Sequence, residues 1–129
     1  MNEETLAPDN NTNITIYGIP NCDTVQKTIA WFKANNITFE FYDYKKNGIT
    51  AAKLKPWCKQ KGWEVLLNKK STSWRDLGKE AQANITDAKT AITVMVKTPS
   101  IIKRPVVEQA GKIVAVGFDK AVYEKLFLV

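Results

Sequence analysis

The stretch from Ile14 to Tyr42 constrains the fold more than any other. Ile14-Thr15-Ile16-Tyr17 is short, β-branched and aromatic, and Gly18 and Pro20 stop it, which is the pattern of a strand. From Thr24 onward Val25, Ile29 and Phe32 recur at i, i+4 and i+7, one face of a helix that Ala30 and Trp31 can widen. Asn35-Asn36 can take the left-handed conformation that ends a helix. Ile37-Thr38-Phe39-Glu40-Phe41-Tyr42 then alternates by two, so a second strand follows. Two strands joined through a helix form a βαβ unit, which requires a parallel pair and a right-handed crossover.

Cys22 lies at the mouth of that helix. A thiol there meets unpaired backbone N–H groups and the positive end of the helix dipole, and both favour thiolate over thiol. The thiolate is the reactive form, so Cys22 is the first candidate for chemistry. Thr24 and Lys27, on the first turns of the same helix, are candidates for stabilising it, while the carboxylate of Asp23 would oppose ionisation.

The other residue types exclude several alternatives. The chain of 129 residues has two cysteines, Cys22 and Cys58, and no histidine. A zinc or iron–sulfur site is therefore not expected, and neither Ser-His nor Cys-His catalysis is available. The N-terminus lacks the basic and apolar segments of a signal peptide, and no apolar run approaches the roughly 20 residues that span a bilayer. A cytoplasmic monomer without membrane contact is the expectation. Nineteen Lys and Arg against thirteen Asp and Glu give a net charge of +6. These cations are scattered along the chain, which argues against nucleic acid and leaves a solvated surface, an acidic partner or an oxyanion substrate.

Residues 1–13 are polar and read as a flexible tail. Lys45-Lys46-Asn47-Gly48 reads as a turn. Thr50 can cap the next helix, with Ile49 and Leu54 as its hydrophobic staple, and Gly62 ends it. Pro56 inside that segment predicts a kink or a late start. Leu54, Trp57 and Cys58 share one face, which reads as core, although Cys58 could also resolve an adduct on Cys22. A short helix or turn follows at Trp63–Leu67, then a polar loop over Asn68–Arg75, a short helix from Leu77 to Asn84, and a helix from Thr86 ending before Pro99. Val106-Val107 and Ile113–Val116 flank Ala110-Gly111 as a β-hairpin. Asp119 can cap a last helix, with Phe118 and Tyr123 as staple and Val122, Leu126 and Phe127 facing inward.

The order β-α-β, helical block, β-β-α, with a cysteine at the first helix and a proline before the second half, resembles the thioredoxin fold. Tyr17-Gly18-Ile19-Pro20-Asn21-Cys22-Asp23-Thr24, Gly62-Trp63 with Leu66-Leu67-Asn68, Ser73-Trp74-Arg75, Ile102-Lys103-Arg104-Pro105-Val106-Val107 and Val116-Gly117-Phe118 together resemble the ArsC/Spx family, in its YffB-type branch. The resemblance implies an α/β fold with a mixed sheet and a single domain over residues 14–129. Its thioredoxin-like halves would lie near 14–43 and 103–129, around a helical insertion near 50–97.

The same resemblance implies Cys22 as nucleophile and a cis Arg104-Pro105 bond beside the sulfur, where a peptide or glutathione backbone docks. It implies Arg104 as the fixed charge for an oxyanion or carboxylate, with Asn68, Lys70 and Arg75 as further anion-binding candidates. In the family's arsenate reductases three arginines surround the cysteine. Here Asn68 stands at one of those positions, with Lys69 and Lys70 beside it, and Gly117-Phe118 offers no arginine at another. Lysine brings charge without the bidentate fork. Val25 occupies the second position of the C-x-x-C switch of Spx-type regulators, so an internal Cys22-x-x-Cys disulfide is excluded.

The expectation is a monothiol oxidoreductase with no bound cofactor, using glutathione as co-substrate or a glutaredoxin as partner. The alternatives are a Spx-like regulatory module that binds RNA polymerase without catalysis, and a genuine arsenate reductase.

Overall fold

The β-branched run Ile14–Gly18 forms β1, an inner strand of a four-stranded sheet in the computed structural model, which describes residues 13–128. The chain divides into two compact units, one reaching to Asp43 and resuming at Arg104, the other Tyr44–Lys103. The tail expected over residues 1–13 lies outside the described residues except for Asn13, whose carbonyl accepts from the Ala110 N–H at 3.0 Å. No described helix is long and apolar enough to cross a membrane.

The first unit contains the whole sheet. After β1 come α1 (Asp23–Ala34) and β2 (Glu40–Asp43), and after the second unit come β3 (Val106–Gln109), β4 (Lys112–Val116) and α7 (Lys120–Phe127). The strand order is β2-β1-β3-β4. β1 pairs parallel with β2, Ile16 opposite Phe41, and antiparallel with β3, Ile16 opposite Val107. Ala110 (φ 54) and Gly111 (φ 81) both sit in the left-handed region between β3 and β4, the backbone a two-residue hairpin turn needs. A β-α-β half followed by β-β-α on one mixed sheet is a thioredoxin-like fold.

α1 and α7 cover one face of this sheet. Ile14, Ile16, Val107 and Ala115 from the strands meet Trp31 and Phe32 of α1 and Tyr123 of α7 in a single buried cluster. Rings in that cluster pack edge to face, Trp31 to Tyr123 and Phe118 to Tyr123 each at 5.3 Å, and such pairs add about 0.5–1.5 kcal/mol beyond the area they bury. The Phe118–Tyr123 contact is the staple expected around the Asp119 cap, whose side chain accepts from the Val122 N–H. Phe127 packs inward against this cluster as expected, but the rest of the inward face of α7 differs from expectation. Tyr123 is its buried residue, while Val122 and Leu126 are exposed.

The second strand also starts later than its alternation suggests. Ile37, Thr38 and Phe39 precede the ladder, because Asn36 (φ 56) turns the chain and the Ile37 N–H bonds back to the Phe32 carbonyl at 3.0 Å. Phe39 still packs its ring against Phe32.

The second unit is helical: α2 (Tyr44–Asn47), α3 (Ala51–Lys61), α4 (Trp63–Leu66), α5 (Thr72–Ala83), α6 (Ala88–Lys97) and a 3-10 turn at Pro99–Ile101. The segment read as a turn at Lys45–Asn47 is thus one helical turn, and Gly48 (φ 76) ends it. Thr50 caps α3 by accepting from the Lys53 N–H, and Ile49 and Leu54 are both buried. α3 starts at Ala51 and runs through Pro56 to Lys61, so the late start does not occur. α5 begins within the expected polar loop, because the Ser71 hydroxyl accepts from the Trp74 N–H and caps it. Its backbone breaks at Gly78 (φ 83), which accounts for the weak periodicity there. Asp87 and Thr90 close a reciprocal capping box on α6.

Candidate functional site

Cys22 is the N-cap of α1, with extended backbone (φ −114, ψ 127), and its carbonyl accepts the first helical bond from the Gln26 N–H at 2.9 Å. The neutral side chain does not cap the helix. The N–H groups of Thr24 and Val25, at the second and third helical positions, therefore have no intrahelical acceptor. A thiolate supplies one. Burial opposes its formation, but bonds from the Val25 N–H, the Arg104 guanidinium and the Thr24 N–H outweigh that cost, and the Arg104 charge adds to them. The Cys22 pKa is held below the ordinary thiol value, and the side chain stays partly exposed.

Local sequence explains the placement. Gly18 ends β1 against the first turn of α1, where a Cβ would come within 2.7 Å of Val25 Cγ2. Only a residue without a side chain lets that turn lie so close to the strand. The Gln26 amide reaches back to the Pro20 carbonyl and ties the connecting loop to the helix that follows it.

Arg104 and Pro105 open the second segment of this unit, immediately before β3. Their peptide bond is cis, Arg104 is half-buried and Pro105 is buried. The Pro105 carbonyl accepts from the Gly117 N–H at 2.8 Å, fixing this segment to the end of β4. The structure thus brings together Cys22, Thr24 and Arg104, with Pro105 joined to Arg104 through the cis bond. Thr24 acts through its backbone N–H rather than its hydroxyl. Lys27 is exposed further along α1.

The remaining anion-binding candidates belong to the second unit. Asn68 is a turn-former: its side-chain oxygen accepts from the Lys70 N–H at 3.0 Å and its carbonyl from the Ser71 hydroxyl at 2.7 Å. With Glu64, Leu67, Lys69, Lys70 and Lys103 it lines a recess of about 320 Å³. Lys103, part of the Ile102–Val107 motif, is not among the anion-binding candidates named from the sequence, although it stands next to Arg104. Arg75 is exposed on α5. Cys58 is partly exposed rather than full core, and burial pushes its thiol pKa up, the opposite of Cys22. Among the described residues no three His, Cys, Asp or Glu side chains gather as metal ligands would.

Comparison with known proteins agrees with this fold. The ArsC family matches residues 17–126. A Haemophilus influenzae protein, itself uncharacterised, is 41% identical over 114 residues, 88% of this chain and 98% of its own. The solved structure of a YffB protein superposes with a TM-score of 0.81 at 38% identity, covering 87% of this chain and 96% of that one. An arsenate reductase (ArsC) related protein from Brucella melitensis gives 0.71 at 43% identity, covering 91% and 96%.

Proposed function

The chain belongs to the ArsC family, in its YffB-type branch, and from that premise we propose that it is a monothiol oxidoreductase with Cys22 as nucleophile and glutathione as co-substrate. The observation that carries the reading is the Cys22 thiol itself, accessible and held below its ordinary pKa by two helix N–H groups and Arg104.

The Cys22 thiolate attacks one sulfur of a glutathione-containing disulfide. The new bond joins Cys22 to the glutathionyl sulfur, the old S–S bond breaks, and the departing thiolate takes a proton from water. With Val25 at the position where a C-x-x-C protein carries its second thiol, an external thiolate completes turnover. A second glutathione attacks the glutathionyl sulfur of the adduct, releasing glutathione disulfide and restoring the Cys22 thiolate. Arg104, beside the sulfur, suits a carboxylate of the incoming peptide, and the helix N-terminus receives the negative charge that returns to Cys22.

Arsenate reduction is the weaker reading. It calls for several forked donors around one tetrahedral oxyanion, whereas Arg104 is the arginine beside the sulfur and position 68 holds a turn-forming asparagine.

The test is turnover of a small glutathione mixed disulfide in the presence of glutathione, glutathione reductase and NADPH. The full-length protein should consume NADPH and its Cys22→Ser variant should not. Equal rates for the two would refute the proposal. Arsenate in place of the disulfide should give little or no consumption.

A further inference from the structure

Tyr123 lies far from Cys22 in sequence, yet a chain of contacts in the first unit joins them. Its ring is fully buried among Trp31, Phe32 and Phe118. Its hydroxyl donates to the Gly117 carbonyl at 2.7 Å and lies 3.3 Å from the hydroxyl of Thr28, itself fully buried. Thr28 also reaches the Thr24 carbonyl at 3.0 Å, one turn back along α1. At the other end, Gly117 gives its N–H to Pro105.

Two hydroxyl protons serve these three side-chain contacts, so they are not all hydrogen bonds at once. The Tyr123 proton goes to Gly117, the shortest contact, and the Thr28 proton is shared between the Thr24 carbonyl and the Tyr123 oxygen. The proton position facing Tyr123 completes a hydrogen-bonded path from α1 to the Gly117 turn, and the other leaves the two hydroxyls in contact. A buried phenol needs one partner to be satisfied; Gly117 supplies it, and Thr28 of α1 supplies a second when its proton turns to the Tyr123 oxygen.

We propose that Tyr123 is a positioning residue: its hydroxyl ties α1, which carries Cys22, to the Gly117 turn and through it to the Arg104-Pro105 segment. The role rests on the reading of Cys22 as a reactive thiolate. A guanidinium bond to sulfur falls off steeply with misplacement, so losing the tie weakens the hold of Arg104 on the thiolate without removing either group.

The test is the pH dependence of Cys22 alkylation by iodoacetamide, in chains carrying Cys58→Ser so that one thiol reports. Tyr123→Phe keeps the ring and removes the hydroxyl. Thr28→Val removes the other hydroxyl at nearly the same volume. Phe39→Leu loosens the same aromatic core without touching the chain of hydroxyls. Tyr123→Phe and Thr28→Val should each raise the midpoint by roughly half a pKa unit, with the double variant less than additive, and Phe39→Leu should leave it in place. A parent midpoint below about 8.5 with both hydroxyl variants unchanged overturns this inference alone. A parent midpoint at or above that value overturns the reactive-thiolate reading and the inference together. Should Tyr123→Phe fail to fold, Thr28→Val decides by the same criterion.

Discussion

The Arg104 guanidinium lowers the Cys22 pKa through a hydrogen bond and its charge, although the whole of the second unit lies between the two residues in sequence. The sheet closes that separation. Antiparallel pairing of β1 with β3 sets Tyr17 opposite Val106, so the residues just after β1 and just before β3 emerge at the same end. Nucleophile and cation are neighbours through strand register, and the geometry leads to distinct expectations.

Arg104→Ala should raise the Cys22 midpoint by about one unit, since both a charge-assisted bond and a Coulombic attraction are lost. Arg104→Lys should recover part of it, restoring charge but not the planar donor. The pH profile of alkylation measures both. Identical profiles for parent and Arg104→Ala would show that the helix N–H groups act alone.

Gly18→Ala forces a methyl against Val25 Cγ2, where 2.7 Å is available. Val25 is β-branched and cannot easily swing aside. Overpacking of this kind costs about 1–3 kcal/mol, measurable by urea unfolding. Adding Val25→Ala should relieve the clash, so the double variant should lose less than the two single losses added together. Simple additivity would place the strain elsewhere.

Burial, with help from the Asp119 charge and against the Thr28 bond, pushes the Tyr123 phenol up to about 12, from an ordinary value of 10.0. The folded-state pKa is raised, so the contribution to stability is fully present below about pH 10, where the phenol is protonated in both states. Between about pH 10 and 12 the unfolded chain loses this proton first, and stability falls as pH rises. Urea unfolding should therefore show a steeper alkaline decline for the parent than for Tyr123→Phe. Parallel declines would contradict the buried, protonated phenol.

In the second unit Leu54 is fully buried on α3. Leu54→Ala should cost about 2–5 kcal/mol of unfolding free energy by leaving a cavity, again read by urea unfolding. A loss under about 1 kcal/mol would mean that the neighbours collapse into the space.

Most elements could be read from the sequence because period and punctuation agree there. Ile14–Tyr17 alternates and stops at Gly18, α1 repeats Val25, Ile29 and Phe32, and Asp119 with Phe118 announces α7. The misreadings have physical causes. Asn68–Arg75 is polar enough to pass for loop, and Ser71 reveals itself as a cap only through its bond to the Trp74 N–H. Ile37–Phe39 alternates like strand but is captured by the helix C-terminus. Val122 and Leu126 are apolar yet face outward, because Tyr123 fixes which side of α7 turns in.

At the site, Cys22 and Arg104-Pro105 could be found from motif and position. The contacts of the Val25 N–H and of Thr28, Tyr123 and Gly117 depend on how segments meet in the fold, which no local pattern encodes.

A nucleophilic Cys22 should react with glutathione disulfides. Intact-mass spectrometry after brief incubation with oxidised glutathione near neutral pH tests it, with peptide mapping to assign the site. One glutathione per chain is expected, on Cys22, absent from Cys22→Ser and removed by reduced glutathione. An unmodified chain, or an adduct on Cys58 with Cys22 left free, would contradict it.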